Sequence, residues 1–330
     1  MELMKRLSEY NAVSGDEMYL MAELFPEPLK KYRPDNMPLI DALGNVTLFK
    51  SGRRHDKTVA FIAHTDEAGF IVRDITDKGY IKFETVGSID PRVMISKKVS
   101  IGKDKISGIL GMKAIHLQKK EERESVVPVK ELYIDIGAKD KADAQRRVSL
   151  GDRISFDTQF GALSEDVIKG KALDRMGVYC LLKVLEAEPE YDTYYIFTAQ
   201  RHIEGRGAAV AFERICPDAV YVIDAIETSE TYGAKPQEKA AALGDGAIIG
   251  AMDKGGIYDR ALTERLKNTG ARVQIMNTVP PATEIGAVRS AFYGTAAALI
   301  GIPCRYANTP VSLMNIQDIE AVCKVLRSLI

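Results

Sequence analysis

Four short stretches of this chain carry residues able to do metal or acid–base chemistry. In AHTDEAG (63–69), His64 closes the apolar run KTVAFIAH and Asp66 follows two residues later. A His at the carboxyl end of a buried strand can ligate a metal, with a nearby carboxylate setting its tautomer. In VYVIDAIET (220–228), Asp224 follows four apolar residues. Asp is a poor strand residue and costly to bury unpartnered, so function competes evenly with structure there. In KALDRMG (171–177), Asp174 precedes a helix starting near Arg175. It reads either as a helix cap or as a metal carboxylate at the rim of the sheet. His64, Asp174 and Asp224 together would form an open site of the Zn²⁺ or Co²⁺ type. The fourth stretch, YYIFTAQRHIEGRGA (194–208), ends a buried strand in Gln200-Arg201-His202. The chain has only four histidines, and His64 and His202 both end strands.

The elements that must position these groups follow from periodicity. The segment up to about Tyr32 reads as helical, with Leu20, Met21, Leu24 and Phe25 at helical spacing. Leu39–Lys50 reads as strand turning at Gly44-Asn45, and Lys57–His64 as a strand buried on both faces. Between Gly69 and Thr158, short alternating runs such as FIVRDI, YIKFETV and DRISFDT are separated by glycine turns. That pattern predicts a small β-barrel or sandwich, interrupted by one helix over Lys141–Arg147. Beyond it, helices are predicted over Arg175–Ala187, Ala208–Arg214, Tyr258–Asn268 and Ile316–Leu329. Strands are predicted over Tyr194–Ala199, Val220–Ile223, Ala247–Ala251, Val273–Met276 and Cys304–Tyr306. Alternation of strand and helix argues for a mostly parallel α/β sheet covered on both faces. The expected organisation is therefore an α/β domain of residues 1–68 and 159–330, with an inserted β-barrel domain at 69–158.

Composition narrows the function classes. The 330 residues are 46% hydrophobic and 28% charged, as in an ordinary globular protein. With 45 basic and 46 acidic residues the net charge is −1, which gives no field for nucleic acid or an anionic membrane. The cysteines, Cys180, Cys216, Cys304 and Cys323, form no C-x-x-C pair and all read as buried thiols. The amphipathic start MELMKRLSEY lacks the apolar core of a secretory signal, so the reading is cytoplasmic.

The order of AHTDEAGFIVRDI, ELYIDIGAKDKADA, KALDRMG, TAQ…GRGA, GDGAIIGAMDKGGI, ATEIGA and CRYANTPV resembles the tetrahedral, glutamyl and deblocking aminopeptidases. Some members of that family have been labelled endoglucanases. The resemblance implies a zinc-peptidase-like mixed sheet flanked by helices, with a β-barrel insertion. It implies two bridged metal ions that serve removal of N-terminal residues from peptides, and large homo-oligomers, from dimer to dodecamer. It places His64 and Asp224 on the first metal, Asp66 as the residue that orients His64, and Asp174 as the bridging carboxylate.

The same resemblance marks departures. Where the family has Gln-Glu-Glu, supplying the general base and a second-metal ligand, this chain has Gln200-Arg201-His202. Where the family ends a motif in Arg-Tyr-x-His, this chain has Arg305-Tyr306-Ala307-Asn308. Asp-Asp-Arg is shortened to Asp174-Arg175, and Thr-Asp-Ala-Gly is Thr283-Glu284-Ile285-Gly286. Arg201 stays protonated and cannot be a base, whereas His202 can still ligate. Asn308 is a poor substitute for a His ligand. The expectation is an impaired aminopeptidase-like protein with a peptide-like ligand and at most one divalent ion, or none. The alternative is an active hydrolase with a rearranged single-metal site. Glu204 reads as an exposed loop acid, and a sugar-hydrolase reading ranks last because no carboxylate pair stands out.

Overall fold

The computed structural model describes residues 1–24, 37–291 and 294–330. Its main sheet has eight strands. In spatial order they are Leu39–Ile40, Val46–Lys50, Tyr191–Thr198, Arg54–His64, Ala219–Glu227, Ala297–Cys304, Ala247–Ile249 and Val273–Ile275. The middle four run parallel, so their carboxyl ends share one edge. The register sets His64 beside Thr198 and Ala63 beside Ile223, and pairs Asp224 with Gly301. Their buried centres, such as 59–63 and 220–223, are apolar runs because helices cover both faces. Met4 and Leu7 of helix Glu2–Glu9, Leu181 of Met176–Val184, and Val322 and Leu326 of Ile316–Arg327 bury one face. Ala208 and Ala211 of Arg206–Ala211, with Ile285 and Val288 of Ile285–Ser290, bury the other.

The strands Gly69–Ile75, Ile81–Val86, Tyr133–Asp135, Ile106–Gly111, Lys98–Ile101 and Arg153–Phe156 close into a barrel in that order. Inward Phe70 meets Phe83 and Phe156 edge-on, with ring centroids 5.0 and 5.2 Å away. Edge-to-face geometry of this kind is favoured between aromatic rings packed in a core. The molecule is thus a mixed α/β sheet flanked by helices and joined to a closed barrel. Among the described residues no helix is long and apolar enough to cross a membrane.

Several element boundaries differ from the sequence reading. The strand expected at Val220–Ile223 runs over Ala219–Glu227, so Asp224 lies inside it. The strand expected at Cys304–Tyr306 is Ala297–Cys304, buried throughout, and Arg305 follows it. Its run AALIGIPC contains Gly and Pro, which masked an otherwise apolar strand. The helix expected from Arg175 begins with a 3₁₀ turn, Leu173–Arg175, before Met176–Val184. Asp174 lies within that turn and caps no helix, so the capping alternative is not what is observed. Cys216 is exposed, unlike the other three cysteines, because it sits in the loop after the short helix Arg206–Ala211. The helical N-terminal stretch is two helices, Glu2–Glu9 and Glu17–Leu24. Phe25 and the continuation to Tyr32 lie outside the described residues.

One buried cation ties these parts together. Arg175 is fully buried and donates to the carbonyls of Thr65 (2.7 Å), Leu7 (3.0 Å), Tyr10 (2.6 Å) and Ala12 (3.0 Å). Its charge is met by Glu67, 3.4 Å away. Glu67 in turn accepts from Ala12 N, from Ser155 Oγ of the barrel, and from Lys171 Nζ. N-terminal segment, sheet edge and barrel are therefore cross-linked through one desolvated network. Removing one member leaves buried acceptors and a buried charge unpaired, which costs about 3–5 kcal/mol. Arg175→Met should lower the unfolding free energy by that amount in urea denaturation. A loss below about 1 kcal/mol would show that the network does not hold the fold.

Candidate active site

The site is built at the shared carboxyl edge of the parallel strands. His64 is the last residue of its strand, and Thr65 N then bonds to Thr198 O at 2.8 Å. Beyond Thr198 the chain makes a tight turn in which Gln200, Glu204 and Gly205 all have positive φ, at 54°, 59° and 65°. Non-glycine residues in that region need support from their surroundings. Here the backbone is held from two sides. Gln200 N donates to Glu17 Oε1 at 2.9 Å. Arg201 N and His202 N donate to Asp66 Oδ1 and Oδ2 at 3.0 and 2.9 Å.

Asp66 is completely buried and also accepts from Ser14 Oγ at 2.6 Å. Its Oδ1 lies 3.3 Å from His64 Nδ1. Burial opposes the Asp66 charge, but His64, His202 and Ser14 outweigh it and hold the carboxyl well below its usual range. His64 is pulled upward by Asp224 and Asp66 against the lowering effect of burial. Its Nε2 stands 3.4 Å from Asp224 Oδ1, an ion-pair separation without hydrogen-bond geometry, so that nitrogen has no hydrogen-bond partner among the described residues.

Arg201 points into the site. Its Nε and Nη2 both donate to Asp224 Oδ2, at 3.0 and 2.7 Å. The other oxygen of Asp224 accepts from Ala225 N at 2.7 Å. Burial would raise the Asp224 carboxyl, and Arg201 and then His64 lower it far more. His202 Nε2 faces Asp174 Oδ2 at 3.2 Å, and its ring meets that of His64 edge-on with centroids 5.3 Å apart. Asp174 is held below its usual range by His202 and His64, against burial.

His64, Asp174 and His202 each offer a ligand atom, all within 4.8 Å of one another. Asp224 is adjacent but already engaged by Arg201. Asn308 is exposed, with φ 56°, on the loop after Arg305. It lines a cleft of ≈ 220 Å³ together with Asp174, Arg201, Asp224 and the apolar walls of Ile226, Pro280 and Pro281. Glu204 is exposed and pairs with Arg206 at 3.5 Å, away from this cluster.

Two buried acids were not singled out by sequence reasoning. Glu284 is 1% exposed. Thr198 Oγ1 donates to its Oε2 at 2.9 Å, while Oε1 has no partner among the described residues. Burial raises this carboxyl to about 7. The departure from Thr-Asp-Ala-Gly at 283–286 was the available signal. Glu17 is likewise raised to about 7, first by burial and then by Asp66. In sequence it looks like an ordinary first-turn helix acid, and nothing there pointed to the site.

Known proteins agree with this architecture. The sequence model for M42 glutamyl aminopeptidase matches residues 44–325. The lysyl aminopeptidase of Pyrococcus furiosus is 28% identical over 100% of this chain and 96% of its own length. A TET aminopeptidase structure from the marine sediment archaeon Thaumarchaeota archaeon SCGC AB-539-E09 superposes with a TM-score of 0.95. It is 28% identical and covers 100% of this chain and 95% of its own. The TET1 peptidase of Pyrococcus horikoshii, which can assemble into a tetrahedron or a large octahedral shell, has a TM-score of 0.87. It is 26% identical, with 99% of this chain and 98% of its own covered. With the family model spanning most of its length, the chain belongs to the M42 glutamyl aminopeptidase family.

Proposed function

We propose that this chain keeps the aminopeptidase scaffold and a cleft for a peptide-like ligand, but hydrolyses peptides poorly or not at all. The observation that carries this reading is the Arg201 guanidinium bonded to Asp224 at 2.7 and 3.0 Å. By the family resemblance a general base belongs at position 201, and a guanidinium stays protonated and cannot take a proton from water. It also disfavours an ion at Asp224. A unit charge 4 Å from another interacts by about 4 kcal/mol at an effective dielectric of 20, so a divalent ion opposing Arg201 there loses roughly 8 kcal/mol.

The residues present therefore do not fit a bridged pair of ions with Arg201 where it is. They do fit one ion of the zinc or cobalt type, held by His64, Asp174 and His202, with the unpartnered His64 Nε2 as one ligand atom. When bound, such an ion would polarise a carbonyl and acidify a bound water. In this chain Asp66 orients His64 and fixes the turn, Arg201 neutralises Asp224, and Ile226, Pro280 and Pro281 form the apolar part of the cleft wall. Assembly into a homo-oligomer belongs to the same proposal, by analogy with the P. horikoshii peptidase.

An active hydrolase with a rearranged single-metal site is the second reading. The His64–Asp174–His202 cluster favours it. Assays on aminoacyl p-nitroanilides with added Co²⁺, Zn²⁺ or Mn²⁺ separate the two. Base catalysis is worth about 10²–10⁴-fold. The triple variant Arg201→Glu, His202→Glu, Asn308→His should therefore exceed the parent by at least ~10²-fold. Robust parental turnover abolished by Asp66→Ala would establish the second reading instead.

A pH measurement probes the buried acid of the site. Glu284 keeps its proton in the folded chain up to about pH 7, whereas a free carboxyl of this type ionises near 4.5. Between those values the unfolded chain binds fewer protons, so the contribution of Glu284 to stability is full at low pH and is lost as pH rises through 7. Glu284→Gln removes that titration. Its unfolding free energy relative to the parent should climb between about pH 5 and pH 7 and then level off, as read by urea unfolding across that range. A pH-independent difference would mean that Glu284 ionises normally.

A further inference from the structure

The cleft of ≈ 220 Å³ carries unbalanced charge. Three carboxylates line it, those of Asp174, Asp224 and Glu227, against the single guanidinium of Arg201. Two of the three face a basic side chain: Arg201 Nη2 stands 2.7 Å from Asp224 Oδ2, and His202 Nε2 stands 3.2 Å from Asp174 Oδ2. Glu227 differs. Its Oε1 accepts from Ser229 N at 3.2 Å and its Oε2 from Ala307 N at 2.8 Å. Both donors are neutral backbone groups, and among the described residues no basic side chain pairs with it. An ionised carboxylate offers about four acceptor positions, so Glu227 is fixed in place with capacity to spare. A second polar group is unmet beside Asp224. His64 is 1% exposed, and its Nε2, 3.4 Å from Asp224 Oδ1, has no hydrogen-bond partner among the described residues. Glu227 closes the strand Ala219–Glu227, three residues beyond Asp224. At roughly 3.3 Å per residue it lies about 10 Å farther along that strand.

We propose that Glu227 is a specificity-determining residue that receives the basic side chain, lysine- or arginine-like, of a peptide-like ligand. This rests on the reading above that the cleft takes such a ligand. Reach decides between the two kinds of amine that a peptide offers. An α-amine lies about 2.5 Å from its own carbonyl carbon, so with that carbonyl at the His64–Asp174–His202 cluster it stays beside Asp224. A lysine ammonium on its four-carbon stem extends about 6 Å from its Cα, which carries the charge outward along the strand. Its methylenes suit the apolar wall of Ile226, Pro280 and Pro281, and its head suits the carboxylate of Glu227 in the same cleft. A neutral side chain leaves Glu227 unmet, and an acidic one sets like charges together, so both are selected against.

Ligand binding to the chelator-treated protein, followed by NMR titration, tests this without turnover or metal. N-acetyl-lysinamide and N-acetyl-norleucinamide differ only by the side-chain ammonium. The lysine compound should bind about 10-fold more tightly, the worth of one hydrogen-bonded charge pair. In Glu227→Gln that ratio should fall to near 1. Norleucinamide, which carries only the α-amine, should bind the parent and Glu227→Gln alike. A residue that merely holds the Ala307 loop would weaken all three compounds together when changed, and that result would overturn the proposal. A ratio near 1 in the parent, where no variant has to fold, would overturn it too. So would a lysine preference that survives in Glu227→Gln, or absence of binding by all three compounds. Loss of norleucinamide binding alone in the variant would give Glu227 to the α-amine and overturn the assignment to a side chain. Failure of the proposed function would show instead as parental peptide turnover, which leaves these ratios readable.

Discussion

The Asp66 carboxylate is the constraint on which the site depends. It is fully buried and serves four partners: the Ser14 hydroxyl, the backbone N–H groups of Arg201 and His202, and the His64 imidazole. Those partners come from the N-terminal segment, the turn after the Thr198 strand, and the end of the His64 strand. One acid thereby fixes both the imidazole and the backbone from which Arg201 and His202 project. Two charge-neutral donors and one hydroxyl stabilise it without occupying the cleft. Its satisfied lone pairs explain how a carboxylate can persist without water in this place.

From that anchor the electrostatics of the cleft follow. Asp224 lies inside a buried strand and has to be neutralised. In a metal centre a cation does this, and here Arg201 does it through two N–H donors. Asp174 faces a single ring nitrogen, His202 Nε2, at 3.2 Å. Most charges of the cluster are thus met within the chain, while His64 Nε2 has no hydrogen-bond partner among the described residues. Glu284 is the exception, because burial is the main influence on it and, among the described residues, only Thr198 offers its side chain a hydrogen bond.

Much of the architecture was legible in the chain. The double-sided apolar run to His64 and the glycine-punctuated alternation of the barrel region reflect local periods that burial imposes directly. The boundaries that failed are those where tertiary contact overrides local preference. The strand Ala219–Glu227 continues through Asp224 because parallel neighbours pair with it on both sides. The strand Ala297–Cys304 tolerates Gly301 because Ile226 and Ile248 crowd that position. The 3₁₀ turn at Leu173–Arg175 is set by Arg175 reaching four distant carbonyls.

By itself the sequence determined the family wording, the order of segments, and which side chains stand at positions 64, 66, 174, 201, 202, 224 and 308. It also determined that position 201 carries a permanent cation, because that is a property of the residue type. Only the tertiary structure decided where that cation points and what it meets. The decisive contacts join Arg201 to Asp224, Thr198 to Glu284 and Gln200 to Glu17, separated by 23, 86 and 183 positions. Pairings over such spans carry no local period. They arise because parallel strands bring their carboxyl ends to one edge, where burial removes water and leaves each charge to find a partner among groups the chain order keeps far apart.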